Sequence, residues 1–140
     1  MATESSRAPI EELKAILEAM NLFQRVGYKP IPLSQETQFP SAYIVVDATL
    51  NEGNGKQTTD GGEYNRFIYP TVMVNIDTGA DPLAFLDVFD EVESAILKDS
   101  KFWNVVIDRD VLASKWDSGD ATPKRQGEIT LELFFRKCLI

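Results

Sequence analysis

The sequence predicts an α+β fold: a two-layer sandwich of two helices packed on a mostly antiparallel four-stranded sheet, in the order α-β-β-α-β-β with a long hairpin between the first two strands. Three observations lead there. Two segments repeat apolar residues every three or four positions, four others are β-branched, aromatic or alternating, and Gly- or Pro-rich breaks separate them. At 140 residues and 44% hydrophobic content, the chain suits one domain spanning 1–140. A chain of this size buries roughly 70% of its unfolded surface.

Residues 1–8 are small and polar and are expected to be flexible, with Ser5 or Ser6 available as an N-cap and Pro9 suited to a first helical turn. Ile10, Leu13, Ile16, Leu17, Met20 and Phe23 then form one apolar stripe, Glu11, Glu12, Lys14 and Glu18 take the other side, and Gly27 is the expected C-terminal cap. From Tyr28 to Pro40, three prolines predict an irregular crossing loop. Ala42 to Leu50 reads as the first strand, with its facing ambiguous by one residue. The twelve residues 51–62 hold four glycines and predict a long hairpin loop over 51–63, mobile in the free chain. Tyr64 to Asp77 follows as a strand that sets Ile68, Val72, Val74 and Ile76 on one face and Phe67, Tyr69, Thr71, Met73 and Asn75 on the other. Pro70 within it implies a bulge or an unpaired edge.

Asp81-Pro82 signals the start of the second helix, whose expected buried stripe is Leu83, Leu86, Phe89, Val92, Ile96 and Leu97, with Phe85 flanking and Asp87, Asp90, Glu91 and Ser94 outward. Phe102 to Ala113 is the third expected strand and Asp117 to Gln126 a loop. Gly127 to Cys138 is the last strand, with Ile129, Leu131, Leu133 and Phe135 on one face. The core should join both helix stripes to Ile44, Val46, Val72, Val74, Ile76, Leu131 and Leu133.

Composition removes much chemistry. There is no histidine, so Ser-His-Asp triads, Cys-His dyads and imidazole metal sites are unavailable. The single cysteine, Cys138, excludes an intrachain disulfide and reads as a small core-facing or edge hydrophobe with no base beside it. No catalytic residue, cofactor site or metal site is assigned. The carboxylates Asp87, Asp90, Glu91 and Glu93 read as a solvated helix face, and Asp60, Asp77 and Asp81 as turn acceptors. The glycines of 51–62 fail as a phosphate loop because strands flank them on both sides. A formal net charge of −8 disfavours sequence-independent nucleic-acid binding. Neither an export signal nor a run of about 18 apolar residues is evident, so no membrane partner is expected, and the protein is expected to be soluble and intracellular when made.

Two features suggest assembly instead. The hairpin, with Gly53, Asn54, Gly55, Lys56 and Asp60 at its tip, is either a flexible loop or an arm that orders on a neighbouring subunit. Phe67, Tyr69, Met73 and Phe134 give the second sheet face more apolar surface than a solvent face needs, so either a loop or a partner subunit covers it. Trp103 and Trp116 anchor the third strand or meet a neighbour. A ligand pocket near Tyr69 and Arg66 is the reading from a different class, held back by the lack of a convergent acid-base set.

The layout resembles the tail terminator (tail tube terminator) proteins of long-tailed bacteriophages. The resemblance runs through IEELKAILEAMNLF, FPSAYIVVD, the Gly-rich hairpin, RFIYPTVMVNID, DPLAFLDVFDEVESAIL and GEITLELFFRKCL, and covers most of the chain. It implies a virion protein of the tail neck, assembled in the host cytoplasm as a homohexameric ring. Such a ring caps the head-proximal end of the tail tube, ends growth of tube and sheath, and receives the head completion (neck) protein. DNA would only pass through the lumen, where six copies at −8 each sum to −48. Lys124 and Arg125 are the expected docking residues for tube or neck. Other neck or tail-completion adaptors share related folds.

Overall fold

A computed structural model of the chain describes residues 2–3, 5–46, 63–99, 102, 105–106, 108–116 and 123–138. For residues 2–3, 63–65, 113–116 and 137–138 it describes the backbone only. The elements are β1 (Ala2–Thr3), α1 (Arg7–Ala19), β2 (Arg25–Gly27), a 3₁₀ turn at Leu33–Gln35, β3 (Ser41–Val46), β4 (Glu63–Ile68), β5 (Pro70–Asp77), α2 (Ala84–Lys98), β6 (Asp108–Trp116) and β7 (Lys124–Cys138).

Two helices on one face of a mostly antiparallel sheet match the expected class, but the sheet has seven described strands rather than four. Two of the additions are too short to carry a period: β1 pairs parallel with Arg136 and Lys137, and β2 pairs parallel with the start of β3. The third comes from Pro70. It has no N–H to give the ladder and splits the expected strand 64–77 into β4 and β5. Register survives the break, because Ile68 faces Leu133 and Thr71 faces Thr130, leaving two residues between the pairs on each strand. β4 and β5 therefore form one line along β7, which pairs on its other side with β6.

Side-chain alternation builds the core between sheet and helices. Ala42 and Ile44, Ile68, Val72, Val74 and Ile76, and Ile129, Leu131, Leu133 and Phe135 meet Ile10, Leu13, Ile16 and Leu17 of α1 and Val92 and Ile96 of α2. Each buried Val, Leu, Ile or Phe side chain contributes about 1.5–3 kcal/mol by leaving water. Val46, expected in the core, is instead 40% exposed and lines a cleft with Ile10 and Ile68.

Several boundaries differ from expectation. α1 stops at Ala19, and Asn21 takes the left-handed turn at φ 55° that the sequence suggested for Gly27, which instead lies in β2. Phe102 sits in a short turn, and β6 begins only at Asp108. A bulge between Val111 and Ala113 turns Leu112 outward. Lys124, Arg125 and Gln126 belong to β7, not to a loop. On α2 the buried side is Val92 and Ile96 with Phe85, Val88, Phe89 and Ala95 packed around them, while Leu83, Leu86 and Leu97, expected inside, are 61%, 45% and 42% exposed. At 100° per residue, 85, 88, 89, 92, 95 and 96 share a face, 86 and 97 lie about 120–140° around from its centre, and Leu83 precedes the helix.

Asp81 acts as a turn acceptor before α2: its carboxylate accepts from the Leu83 N–H at 3.0 Å, as Asp77 does from Gly79 at 3.0 Å. The far end of α2 is held from the sheet. Arg109 of β6, buried, donates through Nη2 to the Leu97 carbonyl at 2.9 Å, and its guanidinium lies 5.2 Å from the Phe102 ring centre. A cation at a helix C-terminus complements the dipole there. Burial lowers the Arg109 pKa, countered by Asp99 and Asp108.

Candidate functional site

The sheet face turned away from the helices carries the odd residues of β3, β4 and β5 and the even residues of β7. Its two halves are built differently. At one end lie Ser41, Tyr43 and Asn75, all buried, beneath the segment from Tyr28 to Pro40 that the prolines marked as a crossing loop. Asn75 donates through Nδ2 to the Ile31 carbonyl at 3.1 Å and accepts from Gln126 Nε2 at 3.0 Å. Lys124, on this face, places its ammonium 5.4 Å from the Phe39 ring centre.

Glu36 fastens that strap. It is 4% exposed, yet both its carboxylate oxygens are occupied. Oε1 accepts from the N–H groups of Thr37 (3.0 Å) and Gln38 (2.9 Å); Oε2 accepts from Ser41 Oγ (2.9 Å) and from the Tyr43 hydroxyl. Arg25 Nη1 of β2 lies 3.7 Å from Oε1. Burial alone would raise the carboxyl pKa, but the donors Tyr43, Gln38, Ser41 and Thr37 outweigh it and hold the group at about 2. Burial, and then the bond to Glu36, raises the Tyr43 phenol. These partners fill both carboxylate oxygens and tie the strap to β2 and β3. The sequence reading passed over Glu36, whose only signal was a carboxylate inside a Pro-rich segment.

The other half is aromatic. Phe67 stacks on Phe134 at 4.7 Å between ring centres and on Tyr69 at 6.4 Å, and all three are half-buried, as is Met73 between the halves. The four residues expected from alternation to share this face do so. The strap lies over the Ser41/Asn75 end, not over these four residues, for which loop and partner cover were the expected alternatives.

Other candidates separate. Gly53, Asn54, Gly55, Lys56 and Asp60 of the expected hairpin lie outside the described residues, as do Trp103 and the Trp116 side chain. Lys124 and Arg125 point to opposite faces of β7: Lys124 is exposed beside Phe39, while Arg125 turns to the helix side and stacks 4.3 Å from the Phe85 ring centre. They therefore do not form a single basic patch. Arg66 and Tyr69 also lie on opposite faces, since Arg66 Nη1 donates to Ser6 Oγ at 2.9 Å on the helix side. A cleft of about 320 Å³ lies on that side instead, walled by Ile10, Tyr28, Val46 and Ile68 with Ser6, Arg7 and Glu11 at its rim. Among the described residues, no three His, Cys, Asp or Glu gather as a metal site, and no helix is long and apolar enough to cross a membrane.

No family model matches the chain, and no curated protein matches it in sequence. Among solved structures, "Virion of native gene transfer agent (GTA) particle" contains a similar chain: 11% identical, covering 89% of this chain and 84% of that one, with a TM-score of 0.41.

Proposed function

We propose that the protein is a structural virion component, a tail terminator whose copies join into a homohexameric ring at the head-proximal end of a phage tail tube. The observation that carries the reading is the Phe67–Tyr69–Phe134 cluster, stacked on the sheet face away from the core, where a subunit contact would bury it. The layout of helices, strands and Gly-rich segment that resembles the terminator family supports it. The Glu36 strap closes the other half of the same face within the monomer, which leaves one bounded patch for a neighbour. In this reading the hairpin tip, Gly53 to Asp60, reaches the adjacent subunit, and exposed Lys124 faces the tube or the neck protein. The ring ends tube and sheath growth and lets DNA pass through an acidic lumen.

Negative-stain imaging of the purified chain, alone and with tail tubes added, tests this. Rings of about 94 kDa, six copies of 15.7 kDa, seated at one end of the tubes are expected. Monomers that ignore tube ends would overturn the reading. The cleft beside Ile10 and Val46 favours a second one, small-ligand binding; a compound that raises the thermal midpoint of the monomer would support it.

A further inference from the structure

The outer face of α2 carries more apolar surface than the fold uses. Leu86 and Leu97 are eleven residues apart, so they lie within about 20° of one another around the axis and roughly 16 Å apart along it. Leu83, one turn before Leu86, extends the stripe beyond the helix start. All three are exposed, whereas the sheet side of the helix is complete without them. The charge around them has one sign. Asp87, Asp90 and Glu91 are exposed and Glu93 half-exposed, against a single cation on the helix, Lys98. None of these four acids makes an ion pair with a described cation.

We propose that this face docks a partner protein through a basic amphipathic segment: about three helical turns with an apolar stripe flanked by Lys or Arg. The leucines supply the apolar contact, and the acids select the flanking charge and set the register. A second copy of this chain fits poorly. A two-fold pairing of α2 on α2 would oppose Asp87, Asp90 and Glu91 to themselves, in a chain that already carries −8. The surface lies across the molecule from the aromatic sheet patch, and its occupancy does not depend on ring formation.

Two labelled 14-residue helical peptides test it against the full chain: one with leucines on one face flanked by lysines, the other with glutamates at those flanks. By anisotropy, the Leu/Lys peptide should bind at least about tenfold tighter than the Leu/Glu peptide, and weaken several-fold between low and physiological salt. Its NMR footprint should fall on residues 83–97. L83Q/L86Q, at exposed positions, should weaken it about tenfold without changing thermal unfolding, and D87K/D90K, which lie nearer the leucines around the helix, should reverse the preference between the peptides. Equal binding of the two peptides, or full binding to L83Q/L86Q, would overturn the proposal. So would a concentration-dependent dimer that L83Q/L86Q abolishes, which would assign the face to a second copy.

Discussion

The two halves of the outer sheet face solve one problem in opposite ways. At the Ser41/Asn75 end the chain covers its own sheet with a strap and sinks a carboxylate under it, and each buried polar atom finds a partner in the same chain. At the Phe67/Phe134 end the sheet presents stacked, half-buried aromatics. A buried, fully hydrogen-bonded charge tolerates little change of geometry, which suits a permanent part of the monomer. Half-exposed aromatic surface costs little to keep and gains when something covers it, which suits a contact made later.

That contrast sets the order of expected effects. Glu36→Ala should be the most damaging, at about 3–5 kcal/mol in denaturant unfolding, because it strands the Tyr43 and Ser41 hydroxyls under the strap. A loss below about 1 kcal/mol would mean the strap is held by other contacts. Acid comes next. The folded-state carboxyl pKa of about 2 lies below the ordinary glutamate value of 4.5, so the stabilisation it provides is complete above 4.5 and is lost as pH falls from there toward 2. Wild-type stability should fall by on the order of 3 kcal/mol more than that of Glu36→Gln across this window, and parallel profiles would contradict the assignment. Tyr43→Phe removes one donor to a charged acceptor and should cost about 1.5–3 kcal/mol. Phe67→Ser should be the mildest for the monomer, at about 1–2 kcal/mol, since the ring is only half-buried; in the proposed ring its larger effect would fall on assembly.

How far each half was legible in the sequence follows from the range of the interactions behind it. The aromatic patch was readable because strand alternation is local: Phe67, Tyr69 and Met73 had to share a face once 64–77 was extended, and Phe134 joined them from β7. The same rule located the core face of β5 and β7. Glu36 was not readable, because its role depends on Ser41 and Tyr43 on a strand that only folding brings beneath the strap. α2 misled for another reason. The expected stripe steps by three through Leu83, Leu86, Phe89 and Val92, which drifts about 60° around the helix at each step, and burial chose Val92 and Ile96 over Leu86 and Leu97. The short parallel strands β1 and β2 escaped notice because two or three residues carry no period, and Lys124 and Arg125 were read as a loop because Pro123 hid the start of β7.

The central claim, that the aromatic half of the sheet joins subunits, is met most directly by light scattering on the wild-type chain and on Phe67→Ser/Phe134→Ser across a range of concentrations. The account predicts a wild-type species near 94 kDa, six copies of 15.7 kDa, and a folded monomer for the double variant. A wild type that stays monomeric at every concentration, or a double variant that keeps the wild-type mass, would contradict it.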